Sequence, residues 1–125
     1  MKPEVLGMHV LLDCWGCNDK IASMEIVRFA LQEAVKRSDT TLLALNTHQF
    51  EPHGVSAVAF IAESHISIHT WPEKNYLALD AFTCGTSGMP ERAVDVIREL
   101  FEPTDFCVRR IDRGIGTTDK ILPKS

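Results

Sequence analysis

The stretch Glu63–Gly85, ESHISIHTWPEKNYLALDAFTCG, decides how the rest of the chain is read. Ile66 and Ile68 alternate with Ser67 and His69, the period of two that sends successive side chains to opposite faces of a strand. Trp71-Pro72 ends that strand, because proline has no amide hydrogen to give to a ladder. The alternation resumes from Tyr76 to Thr83. There Leu77, Leu79 and Ala81 share one face, and Tyr76, Ala78, Asp80 and Phe82 share the other.

Working outward, Val55–Ala62 is an apolar run of strand length, entered through the turn-prone Glu51-Pro52-His53-Gly54. Thr41–Phe50 reads as the strand before that turn, antiparallel to the next. Further upstream, Met24, Val27, Leu31, Ala34 and Val35 recur at helical spacing, with Ser23 as N-cap and Ser38-Asp39 as the stop. Leu6–Cys14 is a strand with Met8, Val10, Leu12 and Cys14 on one face and His9, Leu11 and Asp13 on the other. Downstream, Gly85 to Gly88 leads into a second helix, with Pro90 at its first position and an apolar stripe of Ala93, Val94, Ile97, Leu100 and Phe101. Phe106–Ile111 supplies a last strand. From Arg113 to Ser125 no period is visible, and the end is expected to be partly mobile. Strands flanking each helix through short connections predict an α/β (α+β) two-layer sandwich: a largely antiparallel sheet with two helices packed on one face, in a single domain over residues 1–125.

A chain of 125 residues builds a real core but is small for an enzyme that must enclose a substrate alone, so a homo-oligomer with sites at its interfaces is expected. The formal charge of −4 leaves no basic footprint, which argues against nucleic acid and anionic membranes and suits a cationic ligand. No apolar run has the length of a membrane span, and MKPEVLGMHV lacks the features of a signal peptide, so a cytoplasmic protein is expected. In that compartment Cys14, Cys17, Cys84 and Cys107 are expected as thiols, used for packing, reactivity or metal binding.

Several residues of the opening stretch invite a chemical reading. Ser64, His69 and Asp80 are the residue types of a hydrolase triad, but no Gly-x-Ser-x-Gly elbow surrounds Ser64, and strand parity separates it from His69. A lone His69 is commonly a hydrogen-bonded structural histidine, and a lone Cys84 a small buried hydrophobe. Asp80 says more, since a carboxylate inside an apolar strand needs a partner or a polar cavity. Cys14-Trp15-Gly16-Cys17 has metal-like spacing, yet Cys84 and Cys107 are not a second close pair, and His48 and His53 do not form the usual companion spacing. Ordinary thiols near a strand end are the expectation there. Residue chemistry alone stops at a possible active site holding a serine, a histidine and a cysteine.

The run ESHISIHTWPEKNYLALDAFTCG, together with the upstream HQFEPHGVSAVAF, closely resembles the short prokaryotic S-adenosylmethionine decarboxylases, which make their own pyruvoyl cofactor by cutting the chain. The resemblance runs from Gly7 to Gly114, and its most specific part is Glu-Ser-His-x-Ser/Thr-Ile-His followed by Thr-Cys-Gly. It implies self-cleavage between Glu63 and Ser64, into a β chain of 1–63 and an α chain of 64–125 headed by the pyruvoyl group. Ser64 is then the cofactor precursor, reached by an acyl shift of its hydroxyl onto the Glu63 carbonyl that proximity makes feasible. His69 is implied as the processing residue that handles the Ser64 α-proton, and Ser56 as its helper in the acyl shift. Cys84 is implied as the proton donor to the substrate α-carbon after decarboxylation through a Schiff base.

For the substrate, the resemblance places Phe50 against the adenine and Glu73 on the ribose hydroxyls. It further implies decarboxylated S-adenosylmethionine as product, for spermidine biosynthesis, a homodimer of processed protomers, and no metal or putrescine requirement. Leu77 and Ala57 depart from the family's frequent alanine and glycine. Related self-processing enzymes decarboxylate arginine or ornithine, which is the alternative substrate class. An unprocessed, non-catalytic partner subunit is the alternative outside enzymes.

Overall fold

Alternating side chains make a sheet only when neighbours bring matching faces into register. In the computed structural model, which describes residues 5–84 and 90–114, six strands do so in one sheet. The strands are β1 (Gly7–Trp15), β2 (Leu42–Gln49), β3 (Val55–Ile61), β4 (Ser64–Trp71), β5 (Tyr76–Cys84) and β6 (Asp105–Arg113). Their order is β2-β3-β4-β5-β1-β6, and every neighbouring pair is antiparallel. The helices α1 (Met24–Arg37) and α2 (Arg92–Phe101) cover one face, giving the expected two-layer sandwich.

Register explains why the core lies on that face. Ala57 pairs with Ile68, Ile68 with Leu79, and Leu79 with Leu12, so one transverse row of the pleat is apolar across four strands. The row is buried with Val27, Leu31 and Ala34 of α1 and Val96, Ile97 and Phe101 of α2. Fully burying one such side chain contributes about 2 kcal/mol, so the row is a main source of cohesion. On the other face the corresponding row reads Ser56, His69, Ala78 and Asp13, and it carries the polar chemistry.

The helix ends follow their local chemistry. The Ser23 hydroxyl accepts a hydrogen bond from the Ile26 amide at 3.2 Å, and after Ser38 the chain turns out through Asp39 at φ 56°. The second helix begins later than its sequence suggests. Pro90 sits in the preceding turn, where its carbonyl accepts from the Ala93 amide at 3.1 Å, and the helix proper starts at Arg92. At its far end Glu102 takes the left-handed φ of 45°.

Two short 3-10 turns, Asp19–Ala22 and Pro72–Lys74, were not evident from periodicity, being too short to repeat. The first is tied to α2, since the Asn18 amide donates to the Phe101 carbonyl at 2.9 Å. The last strand is longer than expected and includes Arg113, which pairs with Gly7. Its residues show no alternation of burial because β6 is an edge strand, reached from the helical layer by Arg98 of α2, whose guanidinium lies 4.4 Å from the Phe106 ring centroid. Gly85 to Gly88 and residues 115–125, expected as a loop and a partly mobile tail, lie outside the described residues.

Candidate active site

The polar face of the sheet carries the sequence-derived residues in two groups, at opposite ends of β4. One group is built on the end where β3 begins. Ser56 and His69 face each other across the β3–β4 ladder, and the serine Oγ lies 2.8 Å from His69 Nδ1. Beside them the β2–β3 loop returns sharply: the Phe50 amide donates to the Gly54 carbonyl at 2.8 Å. Gly54 has φ 105°, and a Cβ there would stand 3.1 Å from the Thr70 carbonyl oxygen, so a side chain would be strained and crowded. The buried Thr70 hydroxyl accepts from the Val55 amide at 3.0 Å and pins the loop to β4.

Across from that loop, Trp71-Pro72-Glu73-Lys74 turns out of β4 and closes at Asn75 with φ 52°. The two returns enclose a cleft of about 410 Å³, lined by Phe50, Ser56, His69, Trp71 and Glu73 among others. Phe50 presents an exposed ring, 46 % accessible, held edge-on by His48 at a centroid distance of 4.5 Å. A flat ring, a carboxylate and a serine–histidine pair around one polar cleft can stack a base, accept from hydroxyls and move a proton.

The other group lies at the far end of the same strand. Between β3 and β4 the chain turns at Ala62-Glu63, and Ser64 opens β4 with φ 146°, a conformation that side chains other than glycine rarely adopt. The Glu63 carbonyl accepts a hydrogen bond from the Cys84 thiol at 3.5 Å, while its carboxylate accepts from the Thr41 amide at 3.1 Å. The peptide ahead of Ser64 is therefore held from both sides. Ser64 Oγ lies 3.3 Å from His65 Nδ1.

Sequence reasoning put Ser64 and His69 in one reaction, and the chain keeps them apart. Five residues of extended strand span about 16 Å, so His69 and Ser56 of one chain stand well away from its own Ser64. The hydrolase triad is likewise unassembled: His69 is bonded to Ser56, and Asp80 meets His9 Nε2 instead. That histidine is the partner the Asp80 carboxylate required. His9 also stacks on Phe82 at 5.1 Å, and His65 meets the same ring edge-on at 5.9 Å. Neither His9 nor His65 was singled out from sequence. The available signal was parity, since His9 shares the polar side of its strand with Asp13.

A second polar cluster sits where β1 leaves the sheet. The Tyr76 hydroxyl donates to Asp13, whose other oxygen accepts from Arg109 at 3.3 Å. Burial, reinforced by that hydrogen bond, pushes the Tyr76 phenol up to about 12. Cys14 and Cys17 are both buried, with the Cys17 thiol donating to the Cys14 carbonyl at 3.8 Å. Its hydrogen bond with Cys17, and then burial, push the Cys14 thiol far above the usual range. Among the described residues no group of three or more His, Cys, Asp or Glu side chains gathers around a common point where a metal could sit.

Comparison with known proteins places this geometry. The family model described as S-adenosylmethionine decarboxylase matches residues 8–114. An S-adenosylmethionine decarboxylase proenzyme of Methanococcus vannielii is 44% identical over 118 residues, covering 94% of this chain and 97% of that one. One from Thermomicrobium roseum is 45% identical over 111 residues, covering 88% and 95%. Among solved structures, the adenosylmethionine decarboxylase of Aquifex aeolicus superposes with a TM-score of 0.83 at 37% identity, covering 94% of this chain and 98% of that chain. The Trypanosoma brucei AdoMetDC-delta26 monomer, at a TM-score of 0.61 and 20% identity over 81% of this chain and 44% of that one, shares the fold. A sheet with these two groups on its polar face, matched across nearly its whole length, belongs to the S-adenosylmethionine decarboxylase family.

Proposed function

We propose that the chain is a proenzyme that cuts itself between Glu63 and Ser64 and then decarboxylates S-adenosylmethionine in the cytoplasm, as part of spermidine biosynthesis. The observation that carries the reading is the peptide at Glu63–Ser64, with its φ of 146° and the Cys84 thiol on its carbonyl. In the first step Ser64 Oγ attacks the Glu63 carbonyl carbon, and the amide gives way to an ester. A thiol already donating to that carbonyl oxygen is suited to the charge that develops on it. Removal of the α-proton at residue 64 expels the Glu63 carboxylate. Hydrolysis then releases ammonia and leaves 64–125 headed by a pyruvoyl group, separate from 1–63.

The residues present fit that group, because residue 64 opens a strand, is half-buried, and lies within one side chain of the Cys84 thiol. When formed, the group supplies the electron sink that loss of carbon dioxide from an amino acid requires and that ordinary side chains lack. Phe50 stacks on the adenine and Glu73 accepts from the ribose hydroxyls. Cys84 returns the proton to the substrate. The family relationship favours S-adenosylmethionine over arginine or ornithine, and the cleft of about 410 Å³ with an exposed ring supports that choice.

The separation within one chain supports a two-fold homodimer. With Ser64, Glu63 and Cys84 about 16 Å from Ser56 and His69, each group needs a counterpart, and a two-fold axis supplies both at once. Ser56, His69, Phe50 and Glu73 of one copy then complete the Ser64 and Cys84 of the other. The polar face leaves Trp15, Phe60, Trp71 and Ile111 more than 40 % accessible, which a facing copy would cover. Four cysteines without a disulfide, and no helix among the described residues long and apolar enough to cross a membrane, are in keeping with the cytoplasm.

Intact mass spectrometry tests the core of this reading. The uncut chain of 14.0 kDa is expected to disappear in favour of two fragments meeting at residues 63 and 64, with the larger reactivity of a ketone on the second. Carbon dioxide release should follow S-adenosylmethionine and neither arginine nor ornithine. A chain that stays whole after prolonged incubation, or that is cut and works only on arginine, overturns it.

A further inference from the structure

Adjacent residues of a regular strand point to opposite faces, so consecutive side chains do not normally meet. Ser64 breaks the alternation with its φ of 146°, and its hydroxyl lies 3.3 Å from Nδ1 of the next residue, His65. We infer that His65 is the base of the self-cleavage reaction: it accepts the proton of the Ser64 hydroxyl as that oxygen attacks Glu63. The inference rests on the reading of Glu63–Ser64 as the cut bond and deepens it.

The surroundings hold His65 for this task. Phe82 meets the imidazole edge-on at 5.9 Å and is itself stacked on His9 at 5.1 Å, with the Arg113 guanidinium 4.8 Å from the ring centroid. His9 is fixed from below by Asp80. Gly7 makes room for the stack, since a Cβ there would stand 2.3 Å from Phe82 Cε1. Among the described residues the Ser64 hydroxyl has no other hydrogen-bonded base, and the His69 of the same chain is occupied by Ser56. The step balances within three consecutive residues. Oγ bonds to the Glu63 carbonyl carbon, His65 Nδ1 takes the Oγ proton, the carbon–nitrogen bond breaks, and the same proton passes to the leaving amine of residue 64.

Hydroxylamine separates this step from the one after it, because it cleaves an ester and spares an amide. A His69→Ala chain, lacking the group proposed for α-proton removal, is expected to accumulate as the ester and to be cut by hydroxylamine between residues 63 and 64. Adding His65→Ala should make the chain resistant. Alone, His65→Ala should slow cleavage by about 100-fold or more, the usual range for a lost acid–base group, with partial recovery on addition of imidazole. His65→Asn, which keeps an acceptor but no base, should be comparably slow and decides the matter if the alanine variant does not fold. Cleavage of His65→Asn at the parent rate, or a doubly substituted chain as sensitive to hydroxylamine as His69→Ala, overturns the role of His65. Cleavage of Ser64→Ala at this peptide would instead overturn the site reading on which it rests.

Discussion

The two ends of the β4 strand are built from similar residues and behave differently. At the Ser56–His69 end the central polar groups are paired: the serine and histidine bond each other at 2.8 Å, and Thr70 ties the neighbouring loop at 3.0 Å. At the Glu63–Ser64 end the backbone is forced into φ 146° and held there by Cys84 and Thr41. One end is paired across the ladder; the other holds its strain in the Ser64 backbone, next to the peptide proposed for cleavage. On the proposed reading a proenzyme needs both, since the strained peptide is spent once while the cleft with Phe50 and Glu73 must hold substrate at every turnover.

Breaking the strained end should have the largest effect. Ser64→Ala is expected to abolish cleavage and leave one 14.0 kDa chain by mass spectrometry, with no decarboxylation. If each site draws Ser64 from one copy and His69 from its partner, co-expressing Ser64→Ala with His69→Ala should cut the His69→Ala chain, although neither variant is cut alone. Absence of any cut in the mixed sample would confine the reaction to one chain. Cys84→Ala sharpens the strained end further: it should be processed at least in part yet lose about 100-fold in turnover, the scale of a missing proton donor.

Smaller effects test the energetics. Ser64→Gly accepts φ 146° without strain, so it should unfold at higher denaturant than Ser64→Ala, by about 1 kcal/mol or more. Thr70→Val leaves the Val55 amide without its buried acceptor and should cost about 1–3 kcal/mol, loosening the relaxed end instead. Smallest is the alkaline response of the Tyr76–Asp13 pair. Its folded-state pKa, raised to about 12, exceeds the unfolded value near 10, so the protonated phenol stabilises the fold fully below about pH 10. That contribution is lost as pH climbs from there through 12. Tyr76→Phe should flatten that part of the stability curve, measured by urea midpoints.

Much of this molecule is legible along the chain. Strand alternation around Ile66, Ile68, Leu77 and Leu79 identifies the buried face, and Ser23 marks its helix start, because burial period and capping are local properties. Family resemblance names Ser64, His69 and Cys84. What the chain order hides is how far apart these stand, since two residues five positions apart look adjacent in sequence and lie about 16 Å apart in a strand. His9 and Asp80, 71 positions apart, meet because β1 pairs with β5 in one particular register. Short 3-10 turns escape periodicity for a plainer reason, having too few residues to repeat, and the edge strand β6, expected over Phe106–Ile111, runs on to Arg113 because no covered face marks its end.

By itself, then, the amino-acid order determined which face of the central strands is buried and where the first helix starts, and its motif pointed to Glu63–Ser64 as the peptide of interest. Tertiary structure decided the partners of Asp80, the strain at Ser64, the imidazole beside its hydroxyl and the distance between Ser64 and His69. The division has one physical cause. Periodicity and motifs record what each residue does against its immediate neighbours or against water, whereas distances across a sheet depend on strand register and order, set jointly by all six strands.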